Sequence, residues 1–218
     1  MKYTGGFPDF SIEKPMPMVW PSAKVALEER QASGRYEAEL KLNEHRGFLT
    51  VDENGEPTFY TYRHSTPIKL TGPVMENVKR LNLPPCSVFD GGHFYRLAFS
   101  KNSYLWIFDV LVLNGERVTL GWEQRRELRD QLFKPDKYIW VPLRTDSFAT
   151  EFEAMLSGTS LLIKQAALQY GVPYNLLVKE IEGLVIKRKD SKLRFPRTKI
   201  ESPSYIKVRI ADVNKGRK

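Results

Sequence analysis

The stretch "YEAELKLNEHRGFLTVD", residues 36–52, contains two short runs in which apolar and polar side chains alternate. Alternation with a period of two is typical of β-strands that bury one face, so the stretch predicts two neighbouring strands. Glu39, Lys41 and Asn43 are two residues apart, and a strand would project them from one face. Lys41 is then either a solvated strand lysine or a nucleophile with binding groups beside it.

The rest of the chain predicts an α+β architecture of mostly antiparallel sheets flanked by helices. Further strands are predicted by β-rich or alternating runs at 58–63, 86–98, 102–116, 138–144, 174–189 and 202–213. Helices are predicted at 22–34, 73–81, 120–134 and 147–171, the last with a break near Gly158. We assign 1–35 to an N-terminal arm and helix, 36–210 to one domain, and 211–218 to a basic tail.

Composition limits the class of protein. A chain of 218 residues can bury one sizeable core, and none of its apolar runs approaches the ~20 residues that span a bilayer. The N-terminus lacks the pattern of an export signal, and the single cysteine, Cys86, fits a reducing compartment. We therefore expect a cytoplasmic monomer without membrane contact. The initial Met and the basic end favour a complete small protein.

The charge balance predicts a polyanionic partner. Lys and Arg number 34 against 26 Asp and Glu, which gives a net charge of +8. Clustered cations gain affinity for phosphates by displacing counterions. Residues 187–199 concentrate seven basic residues in thirteen, so this run is predicted to face nucleic-acid phosphates.

Six short stretches contain residues suited to phosphate chemistry. In chain order they are ELKLNEHR (39–46), YRHS (62–65), FDGGH (89–93), WIFDVLVLNG (106–115), EGLVIK (182–187) and YIKVR (205–209). A lysine nucleophile needs nearby cations, metal or desolvation to become neutral. Phe108 offers a ring for stacking, and Asp109 in an apolar strand needs a partner. Lys207 and Arg209 are expected on one strand face.

The order of these stretches, from Glu39 to Arg209, resembles the adenylation (nucleotidyltransferase) domain of ATP-dependent DNA and RNA ligases and related capping enzymes. The resemblance implies an ATP-grasp-like nucleotidyltransferase fold, here without the OB-fold domain that usually follows. It implies an ATP-dependent polynucleotide ligase that joins 5′-phosphate and 3′-hydroxyl ends of DNA or RNA. The reaction would pass through a lysyl-AMP intermediate, with ATP and Mg²⁺ or Mn²⁺ as cofactors and nucleic acid as the partner.

The resemblance also implies a role for individual residues. Lys41 would be the nucleophile, Lys187, Lys207 and Arg209 would act on the α-phosphate, and Glu182 would bind the metal. The residues implied to bind the nucleotide are Glu39 at the adenine amino group, Leu40, Asn43, Arg46 at the ribose or a phosphate, Arg63 at a phosphate, Phe108 stacked on adenine, Glu182, Lys187 and Lys207. Arg125 and Arg126 would serve helix packing and surface charge.

The sequence departs from the ligase pattern at four positions. Asn43 replaces an Asp, Glu44 a Gly, Gly92 a ribose-contacting Glu, and Arg209 the more usual Lys. These changes leave open a catalytically silent nucleic-acid-binding relative. A capping-type guanylyltransferase and a basic structural protein are further alternatives, and the choice between DNA and RNA stays open.

Overall fold

The structure, a computed structural model, describes residues 3–18, 22–62, 65–94, 103–196 and 200–216. The chain forms two compact units, which we call unit 1 (residues 1–11 and 44–141) and unit 2 (12–43 and 142–218). The predicted division at residues 35 and 210 stays a prediction.

The strands and helices follow one another in a mixed order. The strands are β1 (Lys14–Pro17), β2 (Tyr36–Leu42), β3 (His45–Val51), β4 (Pro57–Thr61), β5 (Pro67–Ile68), β6 (Ser87–Phe94), β7 (Tyr104–Leu113), β8 (Glu116–Arg117), β9 (Ile139–Trp140), β10 (Arg144–Thr145), β11 (Ile181–Arg188) and β12 (Glu201–Arg209). The helices are α1 (Ser22–Ala32), α2 (Gly72–Arg80), α3 (Trp122–Leu132), α4 (Phe148–Leu156), α5 (Leu161–Tyr170), α6 (Tyr174–Leu177) and α7 (Ile210–Gly216).

Unit 1 is built on a sheet with the strand order β5-β4-β3-β6-β7-β8, and β9 pairs with β7. All pairs are antiparallel except that of β7 with β9. The long apolar run of β7 is buried almost throughout, as its composition predicts. Helix α2 buries Val74 and Val78 in the same core as Phe59 and Phe89 of the sheet. The core therefore lies between α2 and the sheet.

Unit 2 is built on a second sheet, with the order β1-β12-β11-β2-β10. Strands β2, β11 and β12 are antiparallel to their neighbours, whereas β1 joins β12 in parallel. One face of this sheet is apolar and buried. It is formed by the even-numbered residues of the three central strands. These residues are Ala38, Leu40, Leu42, Leu184, Ile186, Ile206 and Val208. The opposite face is therefore the one that carries the charged side chains.

The structure confirms most of the predicted elements and corrects three. The strand predicted at 202–213 ends at Arg209, and Ile210–Gly216 forms helix α7. The helix predicted at 147–171 breaks at Gly158 into α4 and α5, and α5 ends at Gly171 with a φ of 64°. The run 138–144 does not form one continuous strand, since it is interrupted between β9 and β10. Pro142 lies in the interruption and has no N–H to donate to a neighbouring strand. The start of the run 174–189 forms the short helix α6. No helix in the described ranges is long and apolar enough to cross a membrane.

Candidate functional site

The charged face of the unit 2 sheet brings predicted site residues together. Side chains directly opposite each other in antiparallel strands share a face. Gly183 of β11 lies between Lys41 of β2 and Arg209 of β12. In the next row Val185 lies between Glu39 and Lys207. Residues that are about 140 positions apart in the chain therefore become neighbours on one surface.

Lys41 forms an ion pair with Glu182. Its Nζ lies 2.7 Å from Glu182 Oε2, and the two side chains are 18% and 29% exposed. Nζ also donates a hydrogen bond to the carbonyl oxygen of Leu42 at 3.2 Å. The predicted nucleophile and the predicted metal ligand are therefore in direct contact, at a place that solvent reaches.

A β-bulge brings Glu182 to this position. Ile181 pairs with Leu42 and Gly183 pairs with Lys41, so Glu182 is an extra residue in β11. A bulge re-aims the side chain of the inserted residue. Gly183 has a φ of +147°, and an added Cβ would collide with Val208 O and lie 3.1 Å from Arg209 Cα. The glycine of the Glu-Gly pair is thus required by the local backbone.

Glu39 and Lys187 form a second, buried ion pair. Lys187 Nζ donates to Glu39 Oε2 at 2.6 Å, with side chains that are 10% and 2% exposed. Glu37 is also buried here, and Arg144 Nη1 lies 3.9 Å from its Oε2. Both members of the pair were predicted to touch the nucleotide, and these contacts stay predictions.

The last two cations of the face differ in their surroundings. Burial and the charges of Arg209 and Lys41 lower the pKa of Lys207, against weaker opposition from Glu201 and Glu182. Arg209 donates from Nε and Nη2 to Asp212 at 2.8 and 3.2 Å. Sequence reasoning missed Asp212, although its spacing of three residues from Arg209 is a signal for such a pair.

A divalent metal fits this face in one limited way. Among the described residues there is no group of three His, Cys, Asp or Glu side chains that could hold a metal ion. Mg²⁺ is commonly bound by one or two carboxylates together with substrate phosphates and water. The partly exposed carboxylate of Glu182 suits that mode.

Asn43 and Leu40 take positions that the simple strand pattern did not predict. β2 ends at Leu42, so Asn43 lies beyond the strand, exposed, with its N–H donating to Glu180 O at 2.9 Å. The side chain of Leu40 is buried on the opposite face from Lys41, and its N–H donates to Leu143 O at 2.9 Å. Any contact of Leu40 with a nucleotide would not involve its side chain in this arrangement.

Other predicted site residues belong to unit 1. Arg46 donates from Nε and Nη2 to Asp90 at 2.9 and 2.6 Å, and its guanidinium carbon lies 5.5 Å from the centroid of the Tyr62 ring. Phe108 is half-buried in β7. Arg63 lies outside the described residues.

Asp109 has the partner that its burial predicted. Arg125 of α3 donates from Nε and Nη2 to the two carboxylate oxygens at 2.9 and 3.1 Å. Arg129 donates to the carbonyl oxygen of Phe108 at 3.0 Å. Arg125 and Arg126 are both buried, so the prediction that this pair supplies surface charge is wrong. The burial of Arg125 and Arg126 confirms their packing role. A buried charge has to be paired, and Arg125 is paired with Asp109.

The basic run 187–199 is less open than its composition predicts. Lys187 pairs with Glu39, Arg188 donates from Nε and Nη2 to Asp190 at 2.6 and 2.8 Å, and Lys189 lies 3.1 Å from Asp146. Lys192 is exposed, and the side chain of Arg194 is 75% exposed. The outward-facing charge of the described part of the run is therefore at its second half.

Comparison with known proteins shows which solved structures have a similar fold. Neither the models of known protein families nor the curated protein sequences give a match. Solved structures do: the ligase domain of LigD from M. tuberculosis matches 91% of the chain with a TM-score of 0.54 and 14% identity. A Lig E DNA ligase matches 94% of the chain with a TM-score of 0.53 and 14% identity. The ATP-dependent DNA ligase of bacteriophage T7, in complex with ATP, matches 91% of the chain with a TM-score of 0.51 and 15% identity.

The chain is shorter than these structures. It spans 59% of the LigD ligase domain, 69% of the Lig E ligase and 68% of the bacteriophage T7 ligase. At identities of 14 to 15%, the likeness concerns the fold. Over 91% of its length, the chain thus has the α+β nucleotidyltransferase fold of ATP-dependent ligase adenylation domains.

Proposed function

We propose that this protein is an ATP-dependent polynucleotide ligase that uses Lys41 as its nucleophile. The observation that carries the proposal is the position of Lys41: a partly exposed amine beside Glu182, on a sheet face shared with Lys207 and Arg209. The fold of ligase adenylation domains, with the amine in such surroundings, favours nucleotidyl transfer over a purely structural lysine.

The chemistry would proceed in three transfers at phosphorus. Lys41 Nζ, as a neutral amine, attacks the α-phosphorus of ATP; an N–P bond forms, the nitrogen gives up a proton to solvent, and the P–O bond to pyrophosphate breaks. An oxygen of a 5′-phosphate end then attacks the same phosphorus; the N–P bond breaks, and the nitrogen of Lys41 takes up a proton as it leaves. Finally a 3′-hydroxyl attacks the 5′-phosphate, gives up its proton and displaces AMP, which joins the two ends.

Residues beside Lys41 would prepare and stabilise these steps. Negative charge that develops on the phosphate oxygens is stabilised by preorganised cations, and Lys207 and Arg209 lie on the same sheet face as Lys41. Glu182 would hold Mg²⁺ or Mn²⁺, which would neutralise phosphate charge. If Glu182 held such an ion, its carboxylate would pair less closely with Lys41, whose amine would then be able to approach phosphorus.

The acceptor would be the end of a nucleic acid. The net charge of +8 suits a polyanion, and contacts to phosphates position a strand without selecting its sequence. DNA and RNA both offer the 5′-phosphate and 3′-hydroxyl that the transfers need, so nicked substrates of each kind belong in the test.

The first experiment measures the intact mass of the protein after incubation with ATP and Mg²⁺. We expect the wild type to gain one AMP and Lys41→Ala to gain none, because the proposal makes this amine the nucleophile. Lys164→Ala, which removes an exposed lysine of α5, serves as the matched control and should gain AMP as the wild type does. An adduct that persists in Lys41→Ala would refute the assignment.

A second candidate function has one observation in its favour. Lys41 and Lys187 are both already paired with carboxylates, as they would be in a relative that binds nucleic acid without catalysis. Pyrophosphate treatment removes AMP carried over from expression. If the treated wild type then forms no adduct but retains nicked DNA or RNA, this function replaces the ligase proposal.

A further inference from the structure

Strand β1 lies next to β12, the strand that carries Lys207 and Arg209. In the described part of the chain it is the last strand on this side of the unit 2 sheet. It pairs with β12 in parallel, and Pro17 lies opposite Lys207. None of the residues predicted to bind ATP or phosphate belongs to β1. Its contribution to the charged face is made by its backbone, from the edge of the sheet.

The backbone of Lys207 is bonded to this edge rather than to β11. The N–H of Met18, directly after β1, donates to the carbonyl oxygen of Lys207 at 3.1 Å. The N–H and the C=O of one strand residue point to the same edge of the strand. Val185 lies opposite Lys207 in β11 and is therefore a neighbour that shares no backbone hydrogen bond with it. Without β1, the polar backbone groups of Lys207 would lose their partners in the protein.

The sequence of β1 determines which of its edges faces β12. Successive residues of a strand direct their N–H groups to alternate edges, and Lys14 and Met18 direct theirs to residues 200 and 207 on the β12 side. Pro15 and Pro17 have the opposite orientation and no N–H to donate. Proline is tolerated in a strand where its nitrogen faces solvent at an edge, and it removes donors that another strand could use. The order of donors and prolines therefore suits β1 to be a terminal strand.

The ammonium of Lys207 depends on this backbone for its position. Lys207 is half-buried on the charged face, in one row with Val185 and Glu39. Ile206 and Val208, on either side of it, direct their backbone groups to β11, so β12 is held alternately by its two neighbours. Burial, more than the nearby cations, lowers the pKa of Lys207, as expected for an ammonium held close to the sheet.

We propose that β1 is a positioning strand, which fixes the backbone of Lys207 through the N–H of Met18 and thereby places the Lys207 ammonium for nucleotidyl transfer. The inference rests on the proposed function, because it takes Lys207 to stabilise the charge that develops on the α-phosphate of ATP. In this role β1 acts through Lys207 and makes no contact with the reacting atoms. Its loss should therefore lower the rate of the chemical step more than the affinity for ATP.

The first test removes the donor that bonds Lys207. Met18→Pro has no N–H, and its fixed φ of about −65° is compatible with an extended segment after Pro17. A displacement of about 1 Å can cost a catalytic group about a hundredfold in rate. We expect AMP-adduct formation by Met18→Pro to show a kcat about tenfold lower than that of the wild type, with KM for ATP changed by less than about twofold.

Two further variants separate the donor from the side chains around it. Met18→Ala retains the N–H and loses only the side chain, so it should restore kcat to near the wild-type value. Pro17→Ala changes the neighbouring residue, whose nitrogen points away from β12, and should leave both constants unchanged. A Met18→Ala variant as slow as Met18→Pro would assign the effect to side-chain packing and overturn the inference.

A double-mutant cycle tests whether the effect passes through Lys207. In the Lys207→Ala background, Met18→Pro should lower kcat no further, because the side chain that it misplaces is absent. Equal losses in the two backgrounds would show that β1 supports the fold in general, and a rise of KM alone would show that it acts on ATP binding. Either result would overturn the inference.

Amide hydrogen exchange tests the hold of β1 on Lys207 without any activity. The Lys207 amide should exchange as slowly as that of Val208 in the wild type, and faster than it in Met18→Pro. If thermal unfolding shows that Met18→Pro is not folded, the wild type decides: a Lys207 amide that exchanges fast beside a slow Val208 amide would refute the positioning role.

The two proposals fail in different ways. If the wild type forms no AMP adduct, the proposed function fails, and hydrogen exchange still tests the contact of β1 with Lys207. If the wild type forms the adduct and Met18→Pro forms it at the same rate, only the role of β1 is wrong.

Discussion

At the scale of single residues, the burial of His93 in unit 1 links the stability of the protein to pH. It lies in β6, almost completely buried, with the ring of Phe59 at a centroid distance of 5.6 Å. Burial, helped by the charge of His45, lowers the pKa of His93 from its ordinary value of 6.5 to about 4. The folded protein therefore keeps His93 neutral at a pH at which the unfolded chain protonates it.

This shift predicts a pH dependence of stability with a definite sign. Below pH 6.5 the unfolded chain binds a proton that the folded protein refuses, so the free energy of unfolding falls as the pH falls towards 4 and levels off below it. The loss should reach about 3 kcal/mol. Urea unfolding of the wild type and His93→Gln across this range measures it, since the difference cancels the other titrating groups.

His45 provides the control for this prediction. It is exposed on the strand next to His93, so His45→Gln should retain most of the pH dependence. A wild type whose stability relative to His93→Gln does not change between pH 6.5 and 4 would show that His93 takes up a proton in the folded state.

At the scale of the strands, the pair of β2 and β11 is held by charge as well as by hydrogen bonds. Removing one member of a buried ion pair leaves the other uncompensated and costs about 3–5 kcal/mol. Lys187→Met leaves the buried carboxylates of Glu39 and Glu37 without the ammonium that lies 2.6 Å from Glu39. We expect it to lower the free energy of unfolding by about that amount, measured by urea denaturation.

A second variant and a control separate charge from packing. Glu39→Leu/Lys187→Met replaces the pair by apolar side chains and should recover much of the stability that Lys187→Met loses. Lys189→Met breaks the more exposed pair with Asp146 and should cost at most about 1 kcal/mol. Equal losses for Lys187→Met and Lys189→Met would contradict the role of burial.

The elements show why part of the site could be predicted from the sequence and part could not. Alternation marks β2 and β12, so the common face of Lys207 and Arg209 follows from local pattern. Strict alternation would place Glu182 and Lys187 on opposite faces, because they are five residues apart. The bulge at Glu182 removes that conflict, and it depends on pairing with Lys41, far away in the chain.

At the scale of the whole molecule, the division of the chain into two units also depends on contacts between residues that are far apart in the sequence. The chain passes between the two units after residues 11, 43 and 141. No change in composition marks these points, so the sequence predicted one continuous domain from 36 to 210. The contact of Glu44 with Gly92 likewise depends on the pairing of β3 with β6, although each departure from the ligase pattern was visible on its own.

The net charge of the whole molecule predicts that its binding of nucleic acid weakens as the salt concentration rises. We expect cations of the run 187–199 to contribute to this salt dependence. The logarithm of the affinity falls with the logarithm of salt concentration by about 0.9 for each duplex phosphate neutralised. We expect Lys192→Gln/Arg194→Gln to reduce this slope by about 2 for nicked DNA, measured by fluorescence anisotropy. Arg188→Gln/Asp190→Asn removes an internal ion pair without changing net charge, so its slope should remain that of the wild type. Equal slopes for all three proteins would place the phosphate contacts on another surface.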